Sequence, residues 1–369
     1  MSFDLITCSS QLKMFKFNFD VEDDTEHYST AVNHTTQNQG HASVEAAVVP
    51  DVFTELFLAD ALNSLPSKIS YSPVTIPLAN GGELSLPRRD LFDARFQLIS
   101  QNVDDPDALE QPSVNARSAL HFLDTPSDLV PLVYEGGLKT WECSLDLVSY
   151  LDGIKSQFDF SGKRVLEIGC GTSIPSLYIL HRIFSSPPSQ NQTHIHLQDY
   201  NASVLELVTI PNIILTWYLS EAAETYRKSE ERADSPLELN ISESLKDAFH
   251  QSLVTYGVDL RFFSGSWDTF DLQKSCGSYN LVLTSETIYR MESLPSLTAL
   301  MRGACNAEVS QAVDDYLCLV AAKVLYFGVG GGVTEFVRCV RDLYKGGTVE
   351  TVWEKTQGVE RRVMSVRWN

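Results

Sequence analysis

The residues best suited to chemistry stand where apolar runs stop. VLEIGCGTS (165–173) leads into Gly169 and Gly171, with Glu167 two residues ahead of the first glycine. Glycines at a strand-to-helix turn let the backbone bend sharply and approach a ligand, and the helix start adds free N–H groups. Glu167 places a carboxylate where a cationic amino-acid end can be met. A second run, HIHLQDY (194–200), stops at Asp199, 30 residues after Gly169. An acid there can accept hydrogen bonds from both hydroxyls of a ribose. Asn201 suits the N-cap of the helical run that follows it, and it is counted with Asp199 and Ser285 among the candidate cofactor contacts. A third run ends in Gly265, Ser266 and Trp267, whose indole can cover an adenine or fill a core. A fourth, LVLTSETIY (281–289), closes on Ser285, Glu286, Thr287 and Tyr289, polar groups set over a central crevice.

The third glycine of a dinucleotide fingerprint is missing, with Ile174 in its place. A pyrophosphate is therefore poorly served, and a sulfonium nucleotide, S-adenosyl-L-methionine, suits Glu167 and the two glycines better. Glu142 and Asp146 lie one helical turn apart in WECSLDLVSYLDGI (141–154). Like charges at that spacing cost a few tenths of a kcal/mol, so the pair needs a cation, a guest or open solvent, and solvent is the default expectation. His194 and His196 alternate along a strand but have no nearby Cys or His, so no metal site is expected. There is no Walker lysine loop, no hydrolase serine elbow and no H-E-x-x-H.

These residues need a parallel sheet to bring them together. KRVLEIGC (163–170), HIHLQDY (194–200), DLRFFSGSW (259–267), YNLVLTSETIY (279–289) and DYLCLVAAKVLYF (315–327) read as strands. Helical segments separate them: 174–184, 204–219 with Pro211 near a kink or early boundary, and 294–304. VTEFVRCVRDLYK (333–345) is an amphipathic helix, and 348–353 and 361–369 read as antiparallel edge strands. Alternating elements imply βαβ units with helices on both faces, and ligands then sit along the rim of strand C-terminal ends. The expected organisation is a disordered polar tail over 1–45, an irregular extension over 46–127 and an α/β Rossmann-like domain over 128–369. The charged stretch 220–258 interrupts that domain as an insertion.

The 369 residues carry 48 acidic against 28 basic side chains, a formal charge of −20. That excess repels phosphate backbones, so no direct nucleic-acid binding is expected, and a basic partner is favoured. Seven cysteines without a C-x-x-C pair indicate reduced, buried thiols. The start, MSFDLITCSSQLKMF, has no secretory pattern, and the apolar stretch 317–330 is interrupted by Lys323 and too short for a span, so no membrane association is expected.

Taken together, DLVPLVYEGGLKTWECSLDLVSYL (128–151), VLEIGCGTSIPSL (165–177), LQDYN (197–201), FFSGSW (262–267), LVLTSETIY (281–289) and AAKVLYFGVGGGV (321–333) resemble the seven-strand class I methyltransferases. More narrowly the chain resembles the eukaryotic protein-histidine N-methyltransferases that modify a histidine of a ribosomal large-subunit protein, over about residues 88–369. The resemblance implies S-adenosyl-L-methionine as cofactor, a cytoplasmic and nuclear enzyme acting as a monomer, and these roles. Trp141 and Glu142 would lie at the methionine end; Glu167, Gly169 and Gly171 would hold the amino-acid end; Asp199 the ribose; and Trp267 the adenine side. Glu286 and Tyr289 would border the reacting centre. One departure is Thr172–Ser173, where many superfamily members carry another glycine. Glu286, Glu142 and Asp146 are candidates to accept the second imidazole N–H. Two alternatives remain at this level: a protein-lysine methyltransferase of the same fold, and a non-catalytic, cofactor-binding chaperone of a ribosomal protein.

Overall fold

The computed structural model describes residues 52–103, 129–130, 134–230, 237–275, 277–305, 316–326 and 330–368. The expected polar tail, 1–45, lies outside the described residues. The extension supplies strands β1 (Thr54–Leu56), β2 (Lys68–Pro77) and β3 (Glu83–Arg89), and 129–130 and 134–135 form a short pair, β4 and β5. Then follow β6 (Arg164–Ile168), β7 (Thr193–Asp199), β8 (Glu238–Asn240) and β9 (Val258–Ser264). The remainder are β10 (Leu281–Ser285), β11 (Leu317–Lys323), β12 (Thr348–Lys355) and β13 (Arg361–Arg367).

The main sheet runs β1-β9-β7-β6-β10-β11-β13-β12. Strands β9, β7, β6, β10 and β11 are mutually parallel, so their C-terminal ends share one rim. Antiparallel β13 enters between β11 and β12. Seven of these strands are the expected Rossmann-like methyltransferase sheet, and two expectations are corrected. The segment 361–367 is an interior strand, because Val363, Met364 and Val366 are fully buried. The sheet also gains an eighth strand, β1, paired antiparallel to β9.

Period-two alternation explains the two cores. On β6, Val165 packs on one face while Leu166 and Ile168 pack on the other. On β10, Leu281 and Leu283 oppose Val282 in the same way. The first face is covered by helices Glu142–Ile154, Ile174–Phe184 and Ile210–Tyr218, the second by Leu294–Cys305 and Val333–Leu343. Among the described residues no single helix is long and apolar enough to cross a membrane.

The extension is more regular than expected. β2 and β3 form an antiparallel pair, and β2 takes β8 from the 220–258 insertion as its other neighbour. Segment 91–103 is a helix whose Ala94 and Leu98 pack against Leu138, Val204, Leu207 and Val208. Pro211 does not break its helix. A π-helical turn over Leu205–Thr209 precedes Ile210–Tyr218, and the wider turn accommodates a residue with no N–H to donate. Cys143, Cys170, Cys305 and Cys318 are buried free thiols.

Candidate active site

The glycine turn is built from left-handed backbone. Gly169 has φ +63° and Gly171 has φ +50°. A Cβ on Gly169 would come within 2.6 Å of Thr287 Cγ2, and one on Gly171 within 3.1 Å of the Gly137 carbonyl. The turn is thus pressed between the end of β10 and the GGLKTW loop. Ser173, at the departure from the family pattern, adopts φ +54° while fully buried, a conformation that costs a non-glycine residue of order 1 kcal/mol. Thr140 and Thr172 share a hydroxyl hydrogen bond of 3.0 Å that ties the loop to the turn.

Glu167 is buried behind this turn. Its Oε2 accepts the Ser176 amide at 3.0 Å and the Ser176 hydroxyl, so it closes the helix start that Ser173 leaves without a side-chain cap. Its Oε1 has no hydrogen-bond partner among the described residues. Burial pushes the Glu167 carboxyl up to about 8, with the Asp199 charge adding to the effect against the Ser176 bonds.

Asp199 ends β7, with Oδ2 accepting the Gly171 amide at 2.9 Å and Oδ1 accepting the Asn201 amide at 3.2 Å. Asn201 occupies the helix N-cap position but makes no side-chain cap there. Its Nδ2 donates instead to the Gly136 carbonyl at 3.2 Å, anchoring the loop above. Asp199 joins Gly171 directly, whereas Gly169 and Trp267 are joined on the rim by a residue with no role expected from sequence. Gln198 Oε1 accepts the Gly169 amide at 3.2 Å and the Trp267 indole N–H at 3.0 Å, while its Nε2 donates to the Gly265 carbonyl at 2.9 Å. Its position one residue before Asp199 was visible, but nothing in a single strand says which polar groups its amide will meet.

Beside the turn lies a second cluster. Lys323, at the end of β11, sits 3.3 Å from Glu142 Oε2 and 3.5 Å from Glu286 Oε1, with its Nζ 4.6 Å from the centre of the Trp141 ring. Tyr326 donates its hydroxyl to Glu286 Oε2 at 2.6 Å. Glu286 has φ +57°, strain held by its amide bond to the Ala321 carbonyl at 2.9 Å. Burial lowers the Lys323 ammonium, but Glu286 and Glu142 outweigh it and hold it above the usual lysine value. Burial raises the Glu142 carboxyl, and Lys323, a backbone hydrogen bond and Arg361 together more than reverse that. Tyr289 is buried with its ring 6.3 Å from Tyr326, and its carbonyl accepts the Gly331 amide at 3.0 Å. Ser285 ends β10 opposite Ala321. Lys323 and Tyr326 were missed from sequence, although a lone charge inside an apolar run was a signal.

The Glu142–Asp146 pair is resolved by cations, not solvent. Glu142 takes Lys323, and Asp146 takes Arg361 of β13 through two bonds of 2.5 and 3.1 Å. Asp146 is therefore withdrawn from the group that could meet a substrate. His194 and His196 also have a partner that sequence distance concealed, Asp259 on β9.

No family model matches the chain. It is 33% identical over 338 residues to histidine protein methyltransferase 1 of Schizosaccharomyces pombe, covering 89% of each chain. It is 32% identical over 300 residues to histidine protein methyltransferase 1 of Saccharomyces cerevisiae, covering 77% of each. Among solved structures it aligns with magnesium protoporphyrin IX methyltransferase of Synechocystis with bound SAM, at TM-score 0.34 and 12% identity over 61% of this chain and 79% of that one. It also aligns with the rRNA methyltransferase aviRa of Streptomyces viridochromogenes, at TM-score 0.36 and 13% identity over 63% and 89%. By the length and identity of its match to the fungal enzymes, the chain belongs to the histidine protein methyltransferase 1 family.

Proposed function

We propose that this chain transfers a methyl group from S-adenosyl-L-methionine to a histidine side chain of a basic protein, a ribosomal large-subunit protein, in the cytoplasm and nucleus. Family membership supports the histidine acceptor, and the charge of −20 favours a basic substrate. The observation that carries the reading is the Glu286–Lys323–Tyr326 cluster at the end of β10, one residue before Thr287, whose Cγ2 would lie 2.6 Å from a Cβ placed on Gly169.

The residues present fit the cofactor. Glu167 keeps one buried oxygen without a partner, suited to an ammonium, and its proton is displaced when a cation arrives. Asp199 and the Gly169–Gly171 backbone flank the place for the sugar and amino-acid portions, and the Trp267 indole offers a flat face. When bound, S-adenosyl-L-methionine supplies a methyl group already activated by its sulfonium.

The protein then has to orient and neutralise. A histidine imidazole, with a pKa near 6.5, is largely neutral at cytosolic pH, so one ring nitrogen carries a lone pair and the other an N–H. A carboxylate accepting that N–H would fix the tautomer and stabilise the positive charge that the ring gains on methylation. Glu286 holds this role, with Glu142 beside it at the outer edge. Tyr326 fixes Glu286 by donating to one oxygen, and Lys323 holds the two carboxylates close together. The one N–H proton left on the methylated ring then leaves through Glu286 to solvent, which returns the carboxylate for the next turnover. Positioning of this kind can contribute about 7–11 kcal/mol to a transfer between oriented groups.

The test is radiolabelled S-adenosyl-L-methionine added with this protein to an extract of cells lacking it, followed by amino-acid analysis of the labelled band. Methylhistidine in a ribosomal large-subunit protein is expected. Methyllysine, or binding with no label transferred, overturns the reading.

A further inference from the structure

We propose that His194, His196 and Asp259 form a binding site for one divalent transition-metal ion of the zinc class, at the end of the sheet away from the methyl-transfer rim. The three potential ligand atoms, one from each side chain, lie within 4.8 Å of one another. His194 and His196 share one side of β7, two residues apart, and Asp259 on β9 is the register partner of His194. His194 Nδ1 is 2.9 Å from Asp259 Oδ2, and His196 Nε2 is 4.0 Å from the same oxygen. Metal–ligand bonds of about 2.0–2.1 Å in tetrahedral array set ligand atoms about 3.3 Å apart, between those two distances. Closure needs only a small shift, with His194 taking its other tautomer to free Nδ1.

The surroundings agree with this assignment. His196 Nδ1 lies 2.9 Å from the Tyr279 hydroxyl, the kind of outer contact that fixes the ring and tautomer of a metal-bound histidine. His196 is fully buried, whereas His194 and Asp259 are partly exposed, so an ion has a route in and water can complete its shell. Two cations neighbour the histidines in register, Arg164 across from His194 and Arg261 across from His196, and Arg261 is matched by a two-bond pair to Glu55 at 2.7 and 2.8 Å. Two histidines and one carboxylate with solvent at the open side match zinc and its neighbours better than calcium or magnesium. From His194 to Asp199 the strand rises five residues, about 16 Å, so the ion would brace the β7–β9 pair rather than touch the transferring methyl group.

Metal-stripped full-length protein titrated with Zn²⁺, and separately with Co²⁺, tests the site. The expected result is one equivalent bound, a raised melting temperature and a Co²⁺ ligand-field spectrum of low coordination number. His194→Gln and Asp259→Asn, both at partly exposed positions, should weaken binding at least tenfold and abolish the melting shift, while methyl transfer stays unchanged. Circular dichroism confirms that each variant is folded, and His196→Asn is left aside because that side chain is buried. No binding by the unaltered protein, or binding that survives in both variants, overturns the proposal.

Discussion

Gln198 Oε1 accepts the indole N–H of Trp267 at 3.0 Å, and this bond ties the end of β7 to the turn that follows β9. The same oxygen receives the Gly169 amide, so a fully buried carboxamide sets the spacing between the glycine turn and the indole. Replacing it with leucine preserves much of the volume but leaves two donors and the Gly265 carbonyl without their partner. Each unsatisfied buried group costs about 1–3 kcal/mol. Gln198→Leu is therefore expected to weaken S-adenosylhomocysteine binding about tenfold or more, read by calorimetry on protein whose circular dichroism is unaltered. Unchanged affinity would mean that the indole face takes no part in nucleotide binding.

Glu286 and Asp146 separate chemistry from scaffolding. Glu286→Gln retains a side chain of the same shape but loses the charge that meets a developing imidazolium. A fall in kcat of about 10²-fold, with S-adenosylhomocysteine affinity held within a few fold, is the expected outcome. Asp146→Asn instead breaks the pair with Arg361 between helix Glu142–Ile154 and β13. It should lower the melting temperature while leaving kcat near the unaltered value at a temperature where the variant is folded. Equal losses of kcat in the two variants would contradict this division of roles.

The pH dependence of the ligand-free protein is set in part by Glu167. Its folded carboxyl is pushed up to about 8 from an ordinary 4.5, so the folded state holds a proton that the unfolded chain releases. That contribution to stability is present below about 4.5 and is lost as pH rises through about 8. Glu167→Gln should flatten this part of the stability curve. In the unaltered protein, an incoming ammonium favours the ionised form, so binding of S-adenosylhomocysteine near pH 7 should release a proton and tighten as pH rises towards 8. Calorimetry in buffers of different ionisation enthalpy counts that proton, and a count of zero removes Glu167 from the ammonium site.

The parts of this molecule that were legible in its sequence are those fixed by local pattern. Short apolar runs separated by helical segments announced β6, β7, β9, β10 and β11, and the polar residues closing each run marked the rim. What stayed hidden depended on pairing across long sequence separations. Asp146 looked solvated because Arg361 is 215 residues away, and His194 looked isolated because Asp259 is 65 residues away. Strand β13 read as an edge because its short, mixed run does not reveal that β12 will close over its far side. The extension looked irregular because prolines interrupt it, yet Pro73 and Pro87 face each other across the β2–β3 pair. Lys323 was read only as a flaw in an apolar stretch, since its two carboxylate partners come from other elements.

Arg89 carries the last prediction, because it joins the extension to the glycine turn. Its fully buried guanidinium bonds Asp93 at 2.7 Å, Gln97 at 2.8 Å and the Leu207 carbonyl at 2.9 Å, the last inside the π-helical turn. Its amide donates to Asn212 Oδ1 at 2.7 Å, and Asn212 Nδ2 donates to the Thr172 carbonyl at 3.1 Å. From the same π turn, Thr209 donates its hydroxyl to the Gly171 carbonyl at 2.7 Å. Arg89→Ala leaves the Asp93 charge and a π-turn carbonyl without their donor, a loss of about 3–5 kcal/mol for a broken, largely buried pair. The melting temperature should fall by several degrees, and S-adenosylhomocysteine should recover less of it than in the unaltered protein, because the turn it binds is no longer braced. Arg89→Lys should rescue only part of the loss, since an ammonium lacks the planar fork that reaches several acceptors at once. Thermal melts of the three proteins with and without S-adenosylhomocysteine decide the matter, and an Arg89→Ala protein that melts and responds like the original would show that the extension rests on the sheet without supporting the site.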